Sequence, residues 1–207
     1  MSYVLVTGGV RSGKSRYAER LAGEERRVLY VATGVASDGE MSERIRLHQE
    51  RRPAKWGLLE VGEDQLVERL RQSVEWKRQK TDGVNASQLV ASTEHAFAYE
   101  VLLIDCLSAW LSTLLIHLPE SEWRSLATKQ RVLAEAESLA DWLQKTPLQA
   151  VVVTTETGLG GVAMSPLGRA FQDLLGEVNQ ILAHQAADVF LVVAGRALRL
   201  PEEGVGL

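Results

Sequence analysis

The sequence predicts an α/β fold built on a mostly parallel sheet flanked by helices. Three observations carry this. Apolar, largely β-branched runs at residues 4–7, 28–32, 101–104, 151–155 and 189–193 do not alternate with polar residues. That is how strands covered on both faces read. Helix-like stretches lie at residues 15–21, 41–51, 122–144 and 168–186, the pattern of crossover connections. The first run also leads into a glycine-rich segment and then a helix, the order in which a phosphate-binding loop is built.

The elements follow in order. The chain enters its first strand at once, without the charged and apolar regions of a signal sequence. The stretch at 41–51 follows the second strand after Ser37-Asp38-Gly39, and Pro53 ends it. Residues 56–61 read equally as a short strand or a loop. Residues 77–95 are polar, contain turn formers, and read as an exposed insertion. A helix at 107–115 follows the third strand. The stretch at 122–144 carries Leu126, Leu133, Ala140 and Leu143 near helical spacing. No repeat or linker divides the chain, so residues 1–207 read as a single domain.

Composition excludes several classes. With 23 basic and 27 acidic residues the net charge is −4, unlike a generic nucleic-acid binder. Cys106 is the only cysteine, so no internal disulfide and no cysteine zinc cluster can form. No apolar run approaches the roughly 20 residues needed to span a bilayer. A cytoplasmic protein is the expectation.

Gly8, Gly9, Val10, Arg11, Ser12, Gly13, Lys14 and Ser15 spell G-x-x-x-x-G-K-S, the P-loop pattern. The glycines let backbone N–H groups converge on phosphate, and the helix start adds its positive dipole end. Lys14 would reach the β- and γ-phosphates, and Ser15 would ligate Mg²⁺. A second carboxylate is expected near such a metal. Asp105, at the end of the apolar run at 101–104, has the Walker-B form. It reads either as metal-linked, directly or through water, or as the cap of the helix that follows. Cys106 reads as a small packed residue.

Two further segments draw notice. Residues 41–56, MSERIRLHQERRPAKW, hold five basic and two acidic residues in an acidic protein. Arg44 and His48 are spaced i,i+4, and Arg51 and Arg52 come about one turn later. A histidine among arginines suits a polyphosphate, and neutral imidazole can attack phosphorus. A solvated helix face is the alternative. Residues 154–161, TTETGLGG, follow the fourth run, where α/β proteins place active sites. Glu156 reads as a ligand to substrate or to metal-bound water, or as part of a plain turn. Arg169 and Asn179 are explained equally well by surface solvation.

Taken together, GGVRSGKS (8–15), ATG (32–34), RIRLHQERRPAKW (44–56), Glu60, LIDCLSAWL (103–111), VTTETGLGGV (153–162), GRAFQDLLGEVNQILA (168–183) and ADVFLVVAGRALRL (187–200) occur in one order. This resembles the bifunctional adenosylcobinamide kinase/adenosylcobinamide-phosphate guanylyltransferase family of cobalamin biosynthesis. The resemblance implies a P-loop NTPase of the RecA-like type, forming a homotrimer. It implies two reactions. ATP or GTP phosphorylates the cobinamide aminopropanol arm. GTP then guanylylates a histidine, releasing pyrophosphate, and GMP passes to the cobinamide phosphate to give adenosylcobinamide-GDP. The guanylylated histidine falls on His48. Other GTP contacts fall near Thr33, Gly34 and Val35, on Gln49, Glu50, Arg51 and Arg52, and on Glu60. The competing readings are another small-molecule P-loop kinase, which would not need His48, and a non-enzymatic nucleotide switch.

Overall fold

In the computed structural model the described residues are 3–34, 53–62, 65–79 and 99–202, with backbone alone for 75–79. Among the described residues seven strands form one sheet in the order β3-β2-β4-β5-β1-β6-β7. They are β1 Val4–Gly8, β2 Val28–Ala32, β3 Gly57–Glu60, β4 Val101–Asp105, β5 Gln149–Val153, β6 Asp188–Val193 and β7 Arg196–Arg199. All neighbours pair parallel except β6 and β7. Among the described residues five helices flank it: α1 Lys14–Ala22, α2 Leu66–Gln79, α3 Leu107–Ile116, α4 Leu126–Lys145 and α5 Pro166–Gln185. The α/β fold with a mostly parallel sheet is as the sequence predicts.

Burial on both faces explains the apolar runs of β1, β2, β4 and β5, while β6 is only half-buried. Alternate residues divide between two cores. Leu5, Leu29, Val31, Leu102, Ile104 and Val152 pack with Leu70, Leu107, Leu111, Leu139, Leu143, Leu175 and Leu182 of α2 to α5. Val6, Tyr30, Leu103, Val151 and Val153 pack with Ala18 and Ala22 of α1. The small alanines let α1 lie close to the sheet, which keeps its first turn near the strand ends. Each fully buried leucine contributes roughly 1.5–3 kcal/mol.

Boundaries depart from the pattern in instructive ways. The run at 151–155 overshoots: β5 ends at Val153, because Thr154 and Thr155 turn into the site. The stretch at 122–144 begins as a short 3₁₀ turn, Glu120–Glu122, and α4 starts only at Leu126. Ser125 caps it, its hydroxyl accepting from Thr128 N at 3.0 Å. The region at 56–61 resolves as a strand, β3. The helix α2 runs to Gln79, so residues 77–79 are helical rather than inserted loop, and 80–95 lie outside the described residues. The helix expected at 41–51 also lies outside them.

Strand β7 is an addition to the expected set. Its four residues are all exposed, and it joins β6 through Ala194 and Gly195, with φ of 51° and 76°. Two positive φ values are what a two-residue hairpin turn demands. Neither Ala-Gly nor Arg-Ala-Leu-Arg carries an obvious hairpin signal.

Gly57, the first residue of β3, has no room for a side chain: an added Cβ would sit 1.9 Å from the Tyr99 hydroxyl oxygen. Gly57→Ala is therefore expected to displace Tyr99 and cost about 1–3 kcal/mol, read as a lowered urea midpoint. An unchanged midpoint would show that Tyr99 yields freely.

No helix among the described residues is long and apolar enough to cross a membrane.

Candidate active site

The C-terminal ends of β1, β4 and β5 meet the first turn of α1, the place where parallel α/β sheets hold ligands. The P-loop runs from Gly8 to Ser15. Gly8 has φ 154°, and a Cβ there would lie 2.4 Å from the Val192 carbonyl oxygen and 2.8 Å from Ser12 Oγ. Only glycine fits. Arg11 and Gly13 adopt φ of 57° and 96°, so the loop curls back before α1 begins. The turn is closed by Ser12 N donating to Gly9 O at 3.2 Å. Lys14 Nζ donates to Gly9 O at 3.2 Å, which holds the ammonium across the loop. The first turn of α1 has no side-chain cap, so its amides remain available to an anion.

Neighbouring strands clamp the loop. Gly195 N, in the β6–β7 turn, donates to Ser12 O at 2.8 Å. Glu156 N donates to Gly8 O at 3.2 Å. The carboxylate of Glu156 accepts from Gly158 N at 2.9 Å, so it braces its own glycine-rich turn.

Asp105 is not a helix cap. The cap of α3 is Cys106, with no side-chain bond. The Asp105 carboxylate instead accepts from Ser15 Oγ at 3.3 Å and from the Tyr30 hydroxyl at 2.7 Å. The P-loop serine and the Walker-B aspartate thus face one another, as their motifs predict. Cys106 behaves as a packed residue. Burial pushes its thiol pKa up, and the adjacent Asp105 charge adds to this. Its Sγ lies 2.9 Å from Ser108 Oγ, which lies 2.9 Å from Thr155 Oγ1.

The outer part of the sheet edge carries Thr33, Gly34 and Glu60. Thr33 is fully buried and its hydroxyl donates to the Cys106 carbonyl, tying the end of β2 to the end of β4. Glu60 is exposed and pairs in register with Ala32. Four strand spacings separate β3 from β1, about 19 Å. Val35, His48, Gln49, Glu50, Arg51 and Arg52 lie outside the described residues.

A family described as "Cobinamide kinase / cobinamide phosphate guanyltransferase" matches residues 4–200. The chain belongs to this family. It is similar to the bifunctional adenosylcobalamin biosynthesis protein CobU of Escherichia coli, 36% identical over 203 residues, covering 95% of this chain and 98% of the relative. It is also similar to the protein of the same name from Salmonella typhimurium, 35% identical over 202 residues, with coverages of 95% and 98%. The bifunctional adenosylcobalamin biosynthesis protein CobP of Pseudomonas aeruginosa is 37% identical over 200 residues, with coverages of 96% and 97%.

Within this kinase/guanyltransferase family member, two contributors to the site escape motif reading. Asn179 of α5 accepts from Thr154 Oγ1 at 2.6 Å and donates to Thr155 O at 3.0 Å. It is not a solvated surface residue; it fixes the strand end that leads to Glu156. The β6–β7 turn is the other. Its signal is a glycine after an apolar strand, Gly195, which only the fold places against Ser12.

Proposed function

We propose that this chain phosphorylates adenosylcobinamide with ATP or GTP and then transfers GMP from GTP to the product through a guanylyl-histidine, serving cobalamin biosynthesis. Family membership supports the two transferase activities. The formed P-loop, with Lys14 across it and Ser15 facing Asp105, is the observation that carries the nucleotide chemistry.

Ser15 and Asp105 fit a Mg²⁺ ion. They present a hydroxyl and a carboxylate oxygen 3.3 Å apart beside the phosphate loop, the hard oxygen donors this ion takes. Among the described residues no cluster of three or more His, Cys, Asp and Glu could hold a metal. Phosphate and water would complete such a site, the usual arrangement for Mg²⁺ at a nucleotide. Bound there, the ion would neutralise charge on the phosphates.

In the first reaction the P-loop amides and Lys14 hold the β- and γ-phosphates while the aminopropanol hydroxyl attacks the γ-phosphorus. The P–O bond to the leaving diphosphate breaks, and the hydroxyl gives up its proton. In the second, a ring nitrogen of His48 attacks the α-phosphorus of GTP, forming a P–N bond and expelling pyrophosphate. A phosphate oxygen of cobinamide phosphate then attacks that phosphorus and frees the imidazole. Arg51 and Arg52, with Gln49 and Glu50, stand beside His48 in sequence and would hold the same nucleotide. The 19 Å span to Glu60 exceeds a phosphate chain. Glu60 would therefore meet the nucleoside end, with the chain at Thr33, Gly34 and Val35 assigned there by the resemblance alone, since the buried Thr33 side chain is engaged with the Cys106 carbonyl.

A single domain spanning 1–207, a homotrimeric assembly and a cytoplasmic location belong to the same reading. The test is product analysis. With adenosylcobinamide and ATP alone, the phosphorylated corrinoid should accumulate. With GTP added, the GDP-linked corrinoid and pyrophosphate should appear. Nucleotide hydrolysis without any new corrinoid would contradict the proposal.

A further inference from the structure

We propose that Tyr30 is a positioning residue that orients the Asp105 carboxylate toward the phosphate-bound metal, an inference that rests on the reading of Ser15 and Asp105 given above. Tyr30 lies on β2, two residues before Ala32, which stands directly opposite Asp105 on β4. Residues two apart on a strand share a face. The Tyr30 ring thus lies diagonally beneath Asp105, on the face covered by α1, within the reach of a long side chain.

The two oxygens of Asp105 are engaged from two different elements. Ser15, on α1, donates to Oδ1 at 3.3 Å, and Tyr30, on β2, donates to Oδ2 at 2.7 Å. A carboxylate held at one oxygen can still rotate about its last bond. Held at both, it presents a fixed edge to the space beside Ser15. The ring that carries the hydroxyl is itself anchored independently of it. Tyr30 is 3% exposed, belongs to the α1-facing core, and stacks on Trp56 with ring centroids 6.5 Å apart and planes 26° apart. Removing only the hydroxyl therefore leaves the packing in place and releases Oδ2. Partners that orient a metal-linked group are known to matter nearly as much as the ligands themselves.

The experiment uses the full chain with a non-hydrolysable GTP analogue. Mn²⁺ replaces Mg²⁺, and the free Mn²⁺ signal is followed by electron paramagnetic resonance. Tyr30→Phe should weaken Mn²⁺ retention by about tenfold. Binding of the analogue in EDTA and the thermal midpoint should match wild type. In an Asp105→Ala background, adding Tyr30→Phe should cause no further loss, because the acceptor is already gone. Mn²⁺ affinity unchanged within about twofold in Tyr30→Phe would overturn the assignment. So would an equal loss in the Asp105→Ala background, which would place the effect in packing. Wild-type protein that binds the analogue but retains no Mn²⁺ would overturn both this inference and the metal reading beneath it.

Discussion

Lys14→Ala should lower kcat for phosphoryl transfer by about 10²–10³, some 3–4 kcal/mol of barrier. The ammonium is held over the loop by the Gly9 carbonyl, so it is already in place when nucleotide arrives. A positive charge preorganised where negative charge develops contributes far more than one that must move there. The same substitution should slow formation of the guanylylated protein, because pyrophosphate departs with charge on the β- and γ-phosphates. Folding should be little affected, since Lys14 is only half-buried and belongs to neither core cluster. Initial rates with each nucleotide, alongside a thermal melt, check this. Full activity in Lys14→Ala would mean that the P-loop is not where the phosphates bind.

His48→Ala should divide the two reactions. Formation of the GDP-linked corrinoid should fall to background, while phosphorylation of adenosylcobinamide continues at a rate near wild type. The reason is chemical: the kinase step needs a phosphate cradle and a metal, and the residues proposed for both lie on β1, α1 and β4. The substrate hydroxyl is the nucleophile of that step, and only the guanylyl step needs one from the protein. Chromatography of the corrinoid products resolves the outcomes. The phosphorylated intermediate should accumulate in the variant and be consumed in wild type. Loss of both activities would give His48 a role in nucleotide binding common to the two steps. Loss of neither would favour a kinase that makes no use of this histidine.

The residues differ in how plainly the sequence announces them. The P-loop and the Walker-B aspartate were readable because each chemistry needs one residue type at one spacing. Gly8 shows why: a methyl group there would meet the Val192 carbonyl. Strands β1, β2, β4 and β5 are legible because both their faces are covered, and β6, only half-buried, is legible by its apolar run alone. Strand β7 is not, since its exposed Arg-Ala-Leu-Arg has no face to bury. The end of β5 departs from the apolar pattern because Thr154 and Thr155 look like strand but turn away to meet Asn179 and Ser108. Asn179 and Tyr30 were hidden for a related reason. Their partners, Thr154 and Asp105, are 25 and 75 residues away along the chain. A pattern that scans neighbours cannot pair them; the parallel sheet does.

The most direct test of the covalent mechanism is the mass of the intact wild-type protein after incubation with GTP and a divalent metal, followed by peptide mapping. The account predicts one acid-labile GMP adduct per chain, located on His48. Bound GTP with no adduct, or an adduct on another residue, would contradict it.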